Sequence, residues 1–359
     1  MSLLKKKSGI FKLIFLVCFL SCCSTSSAFP KSFALDSIAT WGKFPKFCVD
    51  TYRWGDKFFN GYDSLYVSGT GYKFNVKAVT EMWADTYTFN FDNGTQLSML
   101  PNPSISVGAH LTYLAVSIGY DINLNKYFNG QESNRRRWNF QFNCMLFSAN
   151  LNFISDNGGT RIRRFAMPGQ KTMYPHLDFN GVNTTEWGID LYYFFNHKRY
   201  SQAAAFNFSR VQINSGGSFY AGFSYKNQDY HFDFNELPDY MKSNIPLQES
   251  NYNYTMKTRS YFLQGGYGYN WVFKPKWVLG ISESPMVGLA KGYINEDKTE
   301  QTRFLLYNLA RLSIVYNNKN WFVGMVGSMD TSILNTKNQI LLTNVLSLVI
   351  SGGYRFNLW

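Results

Sequence analysis

The chain is poor in the residues on which most site chemistry and most secreted scaffolds depend. It has five cysteines in 359 residues, and three of them, Cys18, Cys22 and Cys23, fall near its start; Cys48 and Cys144 alone give no disulfide framework. Only four histidines occur, His110, His176, His197 and His231. After residue 28 no apolar run approaches the ~20 residues that a membrane helix needs, so helical spans are excluded. No phosphate-cradling glycine loop, paired metal-ligand spacing or cofactor fingerprint is found, and neither cofactor nor metal is expected.

At the start, Lys5, Lys6 and Lys7 precede an apolar run from Ile10 to Leu20 broken by Lys12, and small residues ending Ser26-Ser27-Ala28 follow. That order reads as a secretory signal peptide over residues 1–28, too short to be a spanning anchor. A lipidated Cys22 or Cys23 is the alternative, on an imperfect lipobox. Removing the four leader lysines takes the formal charge from +12 to 31 − 23, about +8.

In excess are aromatic and small polar residues. The aromatic fraction is 18% although the mean hydropathy is slightly negative. A transmembrane β-barrel reconciles the two, because alternate residues of each strand face lipid and water. A soluble all-β secreted protein competes, but leaves a repeated lipid-grade face unexplained. The clearest strand puts Trp138, Phe140, Phe142, Cys144 and Leu146 outward and Asn139, Gln141 and Asn143 inward. A slip of one residue would drive a row of amides into hydrocarbon.

Alternation predicts further strands over 73–91, 105–111, 115–124, 149–154, 187–195, 261–273, 277–289, 302–316, 321–331 and the terminal run from Leu341. Between 201 and 226 the outward set changes from even (Ala204, Phe206, Phe208) to odd (Phe219, Ala221, Phe223, Tyr225), which needs a bulge or a turn. Both ends of a bacterial barrel lie in the periplasm, so the strand number is even. One bulged strand over 201–226 gives about twelve, with fourteen left open. Short turns at 112–114, 147–148, 196–200, 274–276 and 317–320 fall on the periplasmic side, and polar loops at 155–185 and 227–259 on the other. Trp138, Trp187, Trp271, Trp277 and Trp321 lie near strand ends, where an aromatic girdle belongs.

The terminal run LLTNVLSLVISGGYRFNLW, with Tyr354 and Phe356 in phase and Trp359 out of phase, resembles the signal by which bacterial outer-membrane barrels are inserted. That implies the barrel-assembly machinery as a partner during insertion, and outer-membrane lipid and lipopolysaccharide as surroundings. WGKFPKFCVDTYRWGDKFFNGYDSLYV, GYKFNVK, INSGGSFYAGFSY, GYGYNWVFKPKW and the closing GGYRF together resemble an uncharacterised family of Bacteroidetes outer-membrane proteins built on a domain of unknown function. The resemblance implies a barrel over nearly the whole mature chain and brings no functional residues with it.

The sequence therefore reads as a signal peptide (1–28), a short periplasmic or lumen-capping segment (29–72) and an all-β, antiparallel outer-membrane barrel (73–359) of a Gram-negative bacterium. Candidate lumen residues are Lys73, Lys77, Glu81 and Asp85 in one row, with His110, Asp121, Asn139, Gln141, Asn143, Asp190, Arg303 and Arg311. They could line a solute path or pair with one another to fill a closed barrel. Arg135, Arg136 and Arg137, with Arg161, Arg163 and Arg164, are candidate anion binders in surface loops, guanidinium being well matched to lipopolysaccharide phosphate. Facing the cell exterior, they exclude nucleic acid as a partner. A non-enzymatic, porin-like channel or structural surface protein is the leading expectation. A lipid or lipopolysaccharide hydrolase is the alternative, and it requires a serine or carboxylate within about 3.5 Å of His110.

Overall fold

A computed structural model of the protein describes residues 40, 42–113, 116–125, 135–157, 159–246, 252–294, 300–335 and 339–357. The segment expected to be a signal peptide, with Cys22 and Cys23, lies outside them. The chain divides into two compact units, residues 1–55 with 359, and residues 56–358. Helix α1, Lys43–Asn60, runs through the division, within the stretch read from sequence as a short periplasmic or lumen-capping segment.

The second unit is built on one curled antiparallel sheet. Its twelve main strands are β1 (Phe74–Phe91), β2 (Ser104–Tyr113), β3 (Val116–Asn123), β4 (Arg136–Asn143), β5 (Phe147–Asp156), β6 (Val182–Phe194), β7 (Gly216–Asp233), β8 (Asn253–Lys274), β9 (Trp277–Ile294), β10 (Gln301–Asn317), β11 (Trp321–Asn335) and β12 (Gln339–Phe356). Except for β3 and β4, each pairs with its neighbours in sequence, and β12 returns to pair with β1 from Gln339 opposite Phe91 to Phe356 opposite Phe74. Among the described residues no ladder joins β3 to β4. Inside that gap Arg137 of β4 reaches Glu81 of β1 at 3.0 Å, and Arg135 pairs with Asp85. Above it, strand Gln96–Met99 pairs with both the far end of β1 and strand Thr160–Ala166.

The two faces of one strand explain where the membrane lies. Along β7, Phe219, Ala221, Phe223 and Tyr225 face outward, while Ser218, Tyr220, Ser224, Lys226 and Gln228 are buried inside. Beyond them the pattern inverts. Asn227, Asp229, His231 and Asp233 now face out, and Tyr230, Phe232 and Phe234 face in. The same inversion occurs on β8, where the outward row from Trp271 to Tyr261 gives way to Arg259 and Lys257 while Met256 and Tyr254 are buried. The lower part obeys the rule for a strand between hydrocarbon and a polar interior, and the upper part the rule for a water-soluble core. Trp138, Trp187, Trp271 and Trp321 are exposed on the outer face near strand ends, and Leu263 and Phe219, each 69% exposed, lie on the belt. Soluble monomers rarely expose so continuous an apolar surface, and an exterior of this kind marks contact with a membrane.

Two consequences follow. Ile281→Arg, in the middle of this belt, is expected to destabilise the inserted barrel by about 2–4 kcal/mol, and Trp277→Arg at its edge by about 0–1. Unfolding equilibria in lipid vesicles measure both, and equal costs at the two depths would contradict the assigned membrane position.

The structure also corrects several sequence expectations. Residues 201–226 are not one bulged strand; the chain leaves the sheet after β6, forms helix α2 (Gln202–Phe206) and strand Arg210–Gln212, and re-enters at Gly216. The change of parity marks that excursion. The expected loop at 227–259 is much shorter, because β7 continues to Asp233 and β8 starts at Asn253, in the inverted pattern that a lipid-facing template misses. The loop expected at 155–185 holds two short strands, Thr160–Ala166 and Leu177–Phe179. Finally, β4 ends at Asn143, so Cys144 and Leu146 are buried in a turn and do not face lipid.

Candidate functional site

The excursion between β6 and β7 fills the periplasmic end of the lumen. Ser201 caps α2 by accepting the Ala204 N–H at 3.2 Å, and Ala203, Ala204 and Ala205 supply the strongest helix former with little bulk. All three are buried, as is Tyr200. Phe208, with a φ of 65°, turns the chain out of the helix and packs its ring with Val278, Val315 and Phe322. Arg210–Gln212 then pairs with Val67–Gly69.

The wall is shaped to receive this plug. Gly268, Gly280 and Gly324, inward residues of β8, β9 and β11, face Tyr200, Ala205 and Phe208 respectively. A β-carbon at Gly280 would lie 2.6 Å from that of Ala205, and one at Gly324 2.5 Å from the Phe208 ring. Polar side chains of the wall hold the plug's backbone. Asn270 donates to the Ser201 carbonyl (2.9 Å) and to Gln212 (3.0 Å), and Asn317 to the Arg210 carbonyl (2.9 Å). Buried Arg355 donates to the Phe208 carbonyl and, at 3.0 Å, to Asn317, with its guanidinium over the Phe322 ring.

Above the plug lies a layer of buried charge. Lys226 donates to Glu186 (3.1 Å) and to the Tyr307 hydroxyl (2.8 Å), which donates to Asp330 (3.0 Å). Gln228 and Tyr230 donate to the other Glu186 oxygen at 2.8 and 2.6 Å. Asp190 accepts from Ser224 and from Asn152 (3.0 Å). On the β1 side Arg135 pairs with Asp85 and lies 3.1 Å from Asp156, stacks over Trp83, and donates to the Asn102 carbonyl at 2.7 Å. Lys226 and Arg135 are each set against carboxylates, while Asp190 and Asp330 are held by neutral donors, so the buried charges are ion-paired or hydrogen-bonded as a low-dielectric interior demands.

The extracellular end is closed by an apolar core. Phe89, Leu97, Ile162, Phe165, Phe179, Phe232 and Tyr254 from the sheet meet Phe234, Leu237, Met241 and Ile245 from the β7–β8 loop. That loop contains the short helix α3, Asp239–Lys242.

The candidate residues thus separate. Lys77, Glu81, Asp85, Asn139, Asp190, Arg303 and Arg311 lie on inward positions of their strands, and Asn139 donates to Asn152 at 2.6 Å. Gln141 and Asn143 share the inward register of Asn139, and Asn143 accepts from Ser148. Arg303 donates to Gln301. Arg311 lies over the rings of Tyr192 and Phe206, and with the Gln202 amide oxygen turned toward it lies 3.1 Å from the plug helix. Lys73 does not enter the lumen: it precedes β1, exposed, with its N–H bonded to Asn357 at 2.8 Å.

Arg135 is not a surface anion binder, because it is buried among carboxylates, and Arg137 is turned to Glu81; Arg136 alone of the three is exposed. Arg161 is spent on Asp178 (2.6 Å) and Arg163 on His176 (3.0 Å), whereas Arg164 is exposed. His110 bonds Asp121 across the β2–β3 hairpin at 2.9 Å, with Lys77 opposite His110 on β1. Among the described residues no hydroxyl or thiol is bonded to His110, and no three His, Cys, Asp or Glu residues are grouped to hold a metal ion.

Two groups lie in the periplasmic turns. Burial pushes the Cys144 thiol up, and its Sγ donates to the Phe147 carbonyl at 3.2 Å. Burial holds the His197 imidazole below the usual histidine range, and Lys198 adds to the effect. Cys144 is therefore expected to resist maleimide at neutral pH until the barrel is unfolded, as peptide-resolved mass spectrometry would show; rapid labelling of the folded chain would contradict its placement.

Apolar exterior, aromatic girdle, polar interior and paired terminal strands define an outer-membrane β-barrel protein, here with its lumen stopped at both ends. By sequence the chain belongs to the family described as a domain of unknown function, DUF4421, matched over residues 61–356. No curated protein matches it. Among solved structures it is similar to the outer membrane protease OmpT from Escherichia coli, at 10% identity over 80% of this chain and 98% of that one, with a TM-score of 0.39. It is similar also to the translocator domain of the autotransporter NalP from Neisseria meningitidis, at 11% identity over 90% of this chain and 98% of that one, with a TM-score of 0.30. Nothing about this chain's chemistry is taken from either.

Proposed function

We propose that the protein is a non-enzymatic outer-membrane barrel that rests closed, and that it conducts solute only when the segment between β6 and β7 leaves the lumen. The observation that carries this reading is the fit of Tyr200, Ala205 and Phe208 against three glycines on three strands. A lumen that merely needed filling could have used side chains of the wall itself, as small barrels do. Here backbone is inserted instead, and its carbonyls are satisfied by Asn270, Asn317 and Arg355, bonds that water can replace on withdrawal.

Planar-bilayer recording of the full chain tests it. Wild-type protein should be silent at low voltage, and a variant with residues 201–209 replaced by a Gly-Ser linker of equal length should conduct persistently. Free conduction by the wild type, or silence of a folded linker variant, would overturn the reading.

The His110–Asp121 pair supports a second reading, hydrolysis at the lumen wall, since a carboxylate does orient the imidazole. Its test is separate. His110→Ala should abolish turnover of a vesicle phospholipid or lipopolysaccharide by purified protein, and an absence of wild-type turnover removes it.

A further inference from the structure

The lipid-facing row of β9 carries a carboxylate at its centre. Trp277, Leu279 and Ile281 precede Glu283, and Pro285, Val287 and Leu289 follow it, all on outward positions. Glu283 is exposed, midway between the two edges of the belt. Its neighbour is Asn308, an outward residue of β10, whose Nδ2 donates to the Glu283 Oε1 at 2.7 Å. Hydrocarbon offers neither donors nor acceptors, so an ionisable group at this depth is costly and marks a functional surface by default. Paired with Asn308, the carboxylate still has a second oxygen and the amide a second N–H.

The surroundings are low toward β10, where Ala310 stands opposite Glu283; on β8 Tyr267, 43% exposed, stands opposite it, and the next outward position there is Gly265, with Ala221 opposite on β7. A β-carbon at Gly265 would meet nothing within 4 Å. Bulky Leu263, Ile281 and Leu312 stand around this notch, each more than half exposed. A hydrogen-bonding pair thus lies at the floor of a depression where another backbone could come close, as small residues permit between membrane segments.

We infer that this notch is the contact surface between two copies of the chain in the plane of the membrane, related by a two-fold axis. The pairing is self-complementary. Each Asn308 gives its second N–H to the Glu283 of the other copy, so donors and acceptors match one for one, as an isologous contact requires. A lipid acyl chain has no donor to offer at that depth.

The test uses the full chain, fluorescently labelled and reconstituted in phosphatidylcholine vesicles over a range of protein-to-lipid ratios, with copies counted by photobleaching. Heat-modifiable migration in gels verifies folding. Wild type and Glu283→Gln, which keeps an acceptor, should dimerise alike. Glu283→Leu combined with Asn308→Leu, and separately Ala310→Trp, should raise the protein density needed for dimers at least tenfold. In a chain whose other cysteines are serine, Gly265→Cys should cross-link two copies on oxidation and Leu346→Cys, on β12, should not. Single-step bleaching of wild type at every ratio, dimers indifferent to both sets of substitutions, or cross-linking through residue 346 but not 265 would each overturn the inference.

Discussion

Arg135→Met is expected to destabilise the barrel by about 3–5 kcal/mol, the range for removing one member of a buried ionic group. Arg135 is 5% exposed and faces two carboxylates, Asp85 and Asp156, which are themselves buried. Without the guanidinium each carboxylate loses its pairing with Arg135, and the repulsion between the two is no longer offset by it. The loss also strips the face of Trp83 of its cation and the Asn102 carbonyl of a donor. The companion variant Arg135→Met with Asp85→Asn and Asp156→Asn should recover most of the loss, because desolvated charge is then no longer unbalanced. Urea titration of the reconstituted barrel measures both. If the single variant costs less than about 1 kcal/mol, these carboxylates are not the enclosed charges they are taken to be.

The second large effect is predicted at the seat of the plug. Gly324→Leu forces a side chain into the space held by the Phe208 ring, and overpacking of this kind costs about 1–3 kcal/mol. If the strain falls on the closed state, the population with the plug withdrawn rises about 5- to 150-fold, at a factor of ten per 1.4 kcal/mol. Alkylation of a reporter, Ala204→Cys, by a membrane-impermeant maleimide should accelerate by that factor. The same substitution at Gly327 is the control. A β-carbon there would have no neighbour closer than 3.9 Å, so its reporter rate should stay at the wild-type value. Equal acceleration in both would mean that the sheet, and not the plug, had yielded.

Much of the architecture was legible because lipid imposes a strict period of two. Trp138, Phe140 and Phe142 against Asn139, Gln141 and Asn143 admit one register only, and the structure shows those three aromatic residues exposed. The pattern failed where its cause stopped acting. Above the membrane, Asp229 and His231 face outward and Tyr230 and Phe232 inward, so a template seeking apolar outer residues ended β7 too soon. Between 201 and 212 the even-numbered apolar residues belong not to a strand but to a helix, Ala204 and Phe206, and to the turn that leaves it, Phe208. The local signal was there, a serine N-cap before Gln-Ala-Ala-Ala, but alternation masked it.

Side-chain partners were the least accessible. Arg135 and Arg137 stand in a run of three arginines that reads as a solvated loop, and only the curvature that brings β1 toward β4 shows that Asp85 and Glu81 await them. Glu186, Lys226, Tyr307 and Asp330 lie on four different strands, so no spacing in the sequence could announce the network.

The reversal of polarity along β7 and β8 also fixes how deeply the protein is immersed. Displacement by two residues, about 6.6 Å along a strand and about 5 Å along the bilayer normal for a strand tilted near 40°, would either submerge Asn227 and Arg259 or lift Tyr225 and Tyr261 into water. Bobbing is thereby confined to less than the height of one headgroup layer. A bilayer thinner or thicker than the belt must deform to meet the protein, which stays where its own side chains have drawn the waterline.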